Sequence, residues 1–394
     1  MDNTKQLNIE YFSLQSLFWM TYCMVVGFSV TYLLSCGYSN SEAGYILASA
    51  NICALILQPF FADLADRSKK INAMTIFLVS ILIIFVCSIG LFFISVRSVI
   101  LTLIYVVMIT LANAVIAFLT SVQYLMDPSK TKINFGLCRA GGSLCFAILS
   151  AAMGILIERI GMKSIPTALF IITLLIILLC VYITRHRIHT TLDTTNSLAH
   201  KKSSSLFVFF KENPKFMVLS IAMLFIYYAH AFITNFTISI VRNAGGDHRE
   251  MGYLIAFMAL MELPGMIGFK EISRRFKVSS LLLFSMFMFS VKAIIIWLSP
   301  SLMTLTFGFA LQVVSFALYI PASVQYANIV IDEKDTVKAQ MMFNLMQAGG
   351  AVFSSIIGGW LIDFSGISHA LLVGAILSCI GTMIAFTAIQ NTKG

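Results

Sequence analysis

The sequence predicts an all-α membrane protein: twelve transmembrane helices arranged as two parallel six-helix repeats, with both termini cytoplasmic. Three observations carry this. Of 394 residues, 59% are apolar and 11% charged, with a mean hydropathy of +0.92, against about 25% charged in an ordinary soluble domain. Apolar runs long enough to cross a bilayer follow one another at short intervals. Fragments of the first half recur in the second. A water-soluble globule is excluded.

The first run, 11–36, follows Asp2 and Glu10 without a basic leader segment and is too long for a cleaved signal peptide, so it belongs to the mature protein. Runs at 42–61, 72–95, 99–126, 134–157 and 165–184 complete an N-terminal bundle over 1–184. Residues 185–213, rich in Thr, Ser, His and Lys, lack apolar periodicity and read as a solvated cytoplasmic linker. Runs at 214–241, 250–269, 279–299, 301–331, 337–362 and 368–390 form a C-terminal bundle over 214–394. A β-barrel would show short alternating segments. These runs are continuous, and only helices then satisfy their own backbone hydrogen bonds in hydrocarbon.

Alternating the loops places nineteen basic residues on the side of the N-terminus and five on the other, which makes that side cytoplasmic. The same asymmetry accounts for the net charge of +9 without a nucleic-acid partner. His186, His189 and His200 are irregularly spaced in the linker and read as solvated rather than metal-binding. The eight cysteines are scattered through apolar runs and suggest neither disulfides nor zinc. Walker loop, HExxH pair and serine elbow are missing, so the chain reads as a non-enzyme without metal or cofactor.

Ser41-Glu42-Ala43-Gly44-Tyr45-Ile46-Leu47-Ala48 recurs as Arg249-Glu250-Met251-Gly252-Tyr253-Leu254-Ile255-Ala256. Ser121-Val122-Gln123-Tyr124 recurs as Ser323-Val324-Gln325-Tyr326, and Ala140-Gly141-Gly142 as Ala348-Gly349-Gly350. The order is kept and the offsets are nearly equal. Because six is even, both copies enter from the same side, as parallel repeats whose rocking exposes a central cavity to each side in turn.

Ser41-Glu42-Ala43-Gly44 with Gln58-Pro59-Phe60-Phe61-Ala62-Asp63-Leu64-Ala65-Asp66-Arg67 resembles the loop signature between the second and third helices of the major facilitator superfamily. The wording is similar to its oligosaccharide:proton symporter (lactose permease-like) family, as are Asn134-Phe135-Gly136-Leu137-Cys138-Arg139-Ala140-Gly141-Gly142 and Ser290-Val291-Lys292. The resemblance implies the twelve-helix fold of that superfamily and a permease in the cell membrane. In the loop signature, Asp63, Asp66 and Arg67 are candidate gating residues, since opposite charges at a helix boundary can latch helix ends and release them. The plainer reading is a solvated positive-inside loop.

Ionisable residues inside spans cost roughly 3 kcal/mol each on insertion scales and are functional candidates. Arg139 lies near the start of the fifth span, His230 in the seventh, Glu262 in the eighth and Lys292 in the ninth. Arg139, Gly142 and Phe146 share a helix face at i, i+3 and i+7, with Gly142 leaving room for a ligand. A guanidinium fork beside an aromatic plate suits a sugar's hydroxyls and C–H face. The resemblance implies sugar binding for Arg139 and stacking for Phe146, whose alternative is packing. It also implies a part in substrate binding and proton coupling for Glu262, which precedes the helix-breaking Pro264. The alternative is a static ion pair with Lys292.

The symporter pattern is broken in the tenth span, where Gln312, Val313, Val314 and Ser315 replace its His and Glu. Either Glu262 carries the proton alone, or Asp127 and Asp332 at the helix ends take part, or the protein is a uniporter or exchanges substrates. His230 is a further coupling candidate, although a lone His in an apolar span is more often packing. Gln123, Asn344 and Gln347 join Lys292 as substrate-binding candidates; Asn235, Gln312 and Gln325 are polar residues able to line the cavity.

The reading is a monomeric secondary transporter in the bilayer. Its substrate is a small polar solute, a sugar or oligosaccharide, taken up with a proton by alternating access. The alternatives are an exporter of apolar compounds, suggested by 21 Met and 33 Phe, a nucleoside permease, or a sensor of the same fold without flux.

Overall fold

The computed structural model describes residues 3–68, 71–127, 132–187, 206–332 and 335–390. The chain divides into two compact units, Met1–Thr194 with His248–Ala256, and Thr195–Asp247 with Phe257–Gly394. Among the described residues there is no strand. Among the described residues, ten helices are long and apolar enough to cross a membrane, and up to twelve spans result when each of two bent helix pairs counts as one.

In the first unit α1 (Asn3–Tyr22) passes through a π-helical turn, Cys23–Gly27, into α2 (Ser29–Ser35), and the pair is bent by 42°. At that turn the Phe28 amide reaches five residues back to the Cys23 carbonyl, at 3.1 Å. α3 (Asn40–Arg67) opens with a capping box. Ser39 Oγ accepts from the Glu42 amide at 3.2 Å and Glu42 Oε2 from the Ser39 amide at 3.0 Å. Asn72, Ser98 and Asn134 cap α4 (Ala73–Phe93), α5 (Val99–Ala114) and α7 (Phe135–Ile160) by the same side-chain-to-amide device. α6 (Ile116–Met126) continues α5 after a 46° bend at Val115, and α8 (Ser164–His186) closes the bundle.

The second unit begins with α9 (Leu206–Glu212), then α10 (Pro214–Asn235), with Pro214 in its first turn, and α11 (Thr237–Asn243). α12 (His248–Arg275) has its first turns, through Ala256, in the first unit and the rest in the second. α13 (Val278–Trp297), α14 (Leu302–Ala310), a 3-10 turn at Leu311–Val313, α15 (Phe316–Val330), α16 (Thr336–Ser365) and α17 (Ile367–Ala388) follow.

The same packing scheme occurs in both units. In the first, α1 packs on α7 and α8, while α4 packs on α6 and α8; in the second, α10 packs on α16 and α17, while α13 packs on α15 and α17. The duplicated Ala-Gly-Gly marks corresponding crossings. A Cβ on Gly142 would lie 2.5 Å from the Trp19 ring of α1, and one on Gly350 2.7 Å from the Leu224 carbonyl of α10. Small residues let membrane helices approach closely. Gly142 therefore does not hold space open for a ligand, as its place beside Arg139 suggested. Trp19 fills that space.

The linker also differs from expectation. α8 runs through His186, and Leu206–Glu212 is helical, with Phe209 fully buried in the core of the second unit. His189 and His200 lie outside the described residues. Glu10, read as a residue ahead of the first span, is inside α1 and 6% exposed. Its carboxylate takes a bidentate pair from Arg187, with Nε to Oε2 and Nη2 to Oε1 both at 2.8 Å. This ties the first helix of the bundle to the last. The hydrogen-bonded carboxylate raises the Arg187 pKa, so the guanidinium keeps its charge.

Because one partner would be left uncompensated in a largely buried site, Glu10→Gln or Arg187→Ala is expected to cost about 3 kcal/mol. The thermal midpoint of the purified protein in detergent reads this out, and an unchanged midpoint contradicts it.

Candidate functional site

In the first unit the Arg139 side chain is half-buried and lies over Trp19, 4.0 Å from the ring centroid, with Nη1 donating to Ser143 Oγ at 2.8 Å. The ring is held in turn. Trp19 Nε1 donates to Gln15 Oε1 at 3.1 Å, Gln15 Nε2 to the Tyr11 hydroxyl at 2.8 Å, and that hydroxyl to the Leu119 carbonyl at 3.0 Å. Tyr11, Gln15 and Trp19 recur every fourth residue on one face of α1. That spacing was readable in the sequence but passed for ordinary span residues. A cation over an aromatic face is worth about 0.5 to 2 kcal/mol, depending on desolvation.

Phe146, seven residues beyond Arg139, is about 10 Å farther along α7. Its ring lies beside the π-turn, with Cζ 3.9 Å from where a Gly27 Cβ would stand. Arg139 and Phe146 thus share the face that packs on α1, and the aromatic ring against Arg139 is Trp19. Gln123 is buried in α6. Asp127, an alternative proton group, is 2% exposed, and its Oδ2 accepts from the Lys132 and Ile133 amides at 2.8 and 3.0 Å, which ties the end of α6 to the residues just ahead of α7.

A second polar cluster in this unit escaped the sequence reading. Asn113 Nδ2 donates to Asn51 Oδ1 at 2.9 Å, Tyr22 donates to Asn113 Oδ1 at 3.0 Å, and Gln58 Nε2 donates to the Asn113 carbonyl at 3.1 Å. The cluster sits at the α5–α6 bend, beside a cavity of about 380 Å³ lined by Gln58, Ser121 and Tyr124 among alanines.

In the second unit Glu262 and Lys292 are joined through Gln312. Lys292 Nζ donates to Gln312 Oε1 at 2.6 Å, and Gln312 Nε2 donates to Glu262 Oε1 at 3.0 Å. Lys292 and Gln312 are each 1% exposed, and the ammonium lies 5.6 Å from the Phe309 ring centroid. The 3-10 turn supplies Gln312. An amide thus bridges the acid and the base that the sequence analysis weighed as an ion pair. Pro264 does not end α12, which continues to Arg275. It removes the amide donor that the Leu260 carbonyl would otherwise use.

His230 lies in an aromatic clamp. Its ring stacks on Phe316 at 4.9 Å and 15°, meets Phe289 edge-on at 5.3 Å, and has Tyr227 at 5.1 Å. Nδ1 is buried without a hydrogen-bond partner. This is the environment of a packing residue. Gln347 Nε2 donates to the Tyr319 hydroxyl at 3.3 Å, Asn235 Nδ2 to Ser355 Oγ at 3.1 Å, and Asn344 is exposed on α16.

Of the gating candidates, Arg67 Nε pairs with Asp63 Oδ1 at 2.6 Å within α3, with side chains 80% and 53% exposed. An exposed pair one turn apart contributes about 0.5 kcal/mol and joins no second helix. The Asp66 side chain lies outside the described residues.

These are features of a solute carrier, with charge at membrane depth and polar clusters along helices. The chain belongs to the MFS_1-like family, whose model matches residues 7–373, and is a multi-pass membrane transporter of the major facilitator superfamily. It is 22% identical over 347 residues to a maltose permease of Geobacillus stearothermophilus, covering 88% of this chain and 85% of that one. It is 24% identical over 356 residues to the uncharacterized transporter YwbF of Bacillus subtilis (strain 168), covering 87% and 83%. In fold it is similar to a mutant of the nucleoside transporter NupG, with a TM-score of 0.78 at 14% identity over 98% of this chain and 99% of that one. An auto-inhibited POT family peptide transporter also has a TM-score of 0.78, at 10% identity over 97% and 96%.

The clamp predicts that His230→Phe folds and transports with an unaltered pH profile, as a packing residue allows. A pH profile displaced in this variant would instead make His230 a titrating participant.

Proposed function

We propose that this transporter takes up a sugar or small oligosaccharide together with a proton, in the cell membrane with both termini cytoplasmic. The linked Glu262–Gln312–Lys292 group is the observation that carries the coupling. Protonating Glu262 neutralises the carboxylate to which Gln312 donates and leaves Lys292 without its counter-charge. A buried cation in that state calls for another acceptor, which a polyhydroxylated substrate supplies. Proton and substrate occupancy are then linked, and by reciprocity each alters the affinity for the other. Arg139 binds substrate hydroxyls through its guanidinium, which the Trp19 ring beneath it holds in place. The similarity to a maltose permease favours a saccharide.

Uptake of labelled maltose, other disaccharides and nucleosides into proteoliposomes with an imposed pH gradient tests the reading. Accumulation of a saccharide that collapses with the gradient is expected; accumulation of nucleosides alone overturns the substrate class. Glu262→Gln should abolish uphill accumulation while exchange persists, and gradient-driven uptake by this variant refutes coupling through Glu262. Arg139→Ala should weaken saccharide binding by about tenfold, the loss of roughly 1.4 kcal/mol. Unchanged affinity removes Arg139 from the binding site.

A further inference from the structure

The end of the first unit away from the linker carries a cavity of about 580 Å³, lined by Tyr38, Glu42, Tyr45, Ser49, Arg97 and Val99 among others. It is a built site. The Tyr38 ring is 7% exposed, and its hydroxyl donates to the Ser98 carbonyl at 2.7 Å, accepts from the Ser98 amide at 3.2 Å and meets Thr102 Oγ1 at 2.9 Å. The Arg97 amide donates to the Cys36 carbonyl at 2.9 Å. The α2–α3 and α4–α5 connections are thereby stitched together into one wall. On that wall Arg97 forms an ion pair with Glu42, whose carboxylate also belongs to the capping box of α3.

Two further properties define what the cavity suits. It offers a cation and an anion side by side, with the Arg97 side chain 61% exposed and that of Glu42 30% exposed. Its rim is apolar: Val99 is 76% exposed, and exposed side chains run on from it along α5 at Leu103 and Val107 and along α3 at Tyr45, Ile52 and Ile56. A charged pocket continuous with a bare apolar stripe fits a molecule with a zwitterionic head and hydrocarbon tails.

We propose that this pocket holds the head group of an aminophospholipid, with its phosphate on Arg97, its primary ammonium on Glu42, and its acyl chains along the apolar stripe of α3 and α5. The guanidinium gives the phosphate a planar donor fork. The ammonium brings N–H donors for the Glu42 carboxylate, and Ser49, two turns farther along α3, lines the deeper wall of the cavity. A choline head has no N–H to donate and is bulkier, and a glycerol head lacks the cation. The pocket therefore selects phosphatidylethanolamine over phosphatidylcholine and phosphatidylglycerol.

The full-length protein, reconstituted in vesicles of equal parts phosphatidylethanolamine and phosphatidylcholine and re-extracted, is assayed for retained lipid by mass spectrometry. An enrichment of the ethanolamine lipid by about fivefold is expected, the value of one modest ionic contact. Glu42→Gln should cancel the enrichment. Ser49→Leu, which fills the cavity without touching the ion pair or the capping box, should cancel it as well, with the thermal midpoint confirming a folded protein. Equal retention of both lipids by the unmodified protein overturns the proposal, as does enrichment that survives in folded Ser49→Leu. Stronger retention of phosphatidylglycerol in a parallel mixture would identify a simple anion site at Arg97 and also overturn it.

Discussion

The bilayer interior offers no water to a backbone amide or carbonyl, and the architecture of this protein is a response to that constraint. Long helices meet it by bonding internally, which leaves few places where the chain can depart from regularity. The departures are where polar groups gather. At the π-turn Cys23–Gly27, Cys23 Sγ meets Ser150 Oγ at 3.1 Å. The α5–α6 bend brings the Asn113 carbonyl to Gln58, and the 3-10 turn at Leu311–Val313 delivers Gln312 between an acid and a base. Interruptions of helices are costly in hydrocarbon, and those in this chain coincide with side chains able to bind or compensate.

Close helix packing sets the rest. The duplicated glycine pair lets α7 approach α1 and α16 approach α10 until a methyl group would collide. One consequence reaches the site directly. With Gly142 bare, Trp19 settles against α7 and becomes the plate under Arg139, and the Tyr11–Gln15–Trp19 chain keeps it there. Packing and the proposed recognition share one helix face, so the indole both seals the crossing and screens the cation.

The charged groups divide by surroundings. Glu10 and Arg187 are mutually satisfied in bidentate geometry and serve as a clasp. Asp63 and Arg67 are exposed within one helix and contribute little. Glu262 and Lys292 share a neutral amide in a buried setting, so a change of charge at one is felt by the other. Membership of the major facilitator superfamily agrees with such an economy of charge. The similarity to NupG and to peptide transporters at 14% identity and below speaks for the fold that these proteins share.

Span number, the duplication and the superfamily were all legible in the chain of residues, because hydropathy over about twenty residues is a local property and repeats are written in order. The ionisable residues at membrane depth were legible too, since a charge in an apolar run stands out from its neighbours. Their partners were not. Trp19 lies 120 positions before Arg139, and Gln312 lies 50 after Glu262, so helix crossings and breaks decide which side chains meet. Gly142 looked like room for a ligand because a sequence gives the absence of a side chain without saying what fills it. His230 stood out as a lone ionisable residue, but the aromatic clamp around it was not legible. Composition and periodicity determine which segments enter the membrane; only the three-dimensional packing of those segments decides which polar groups face one another.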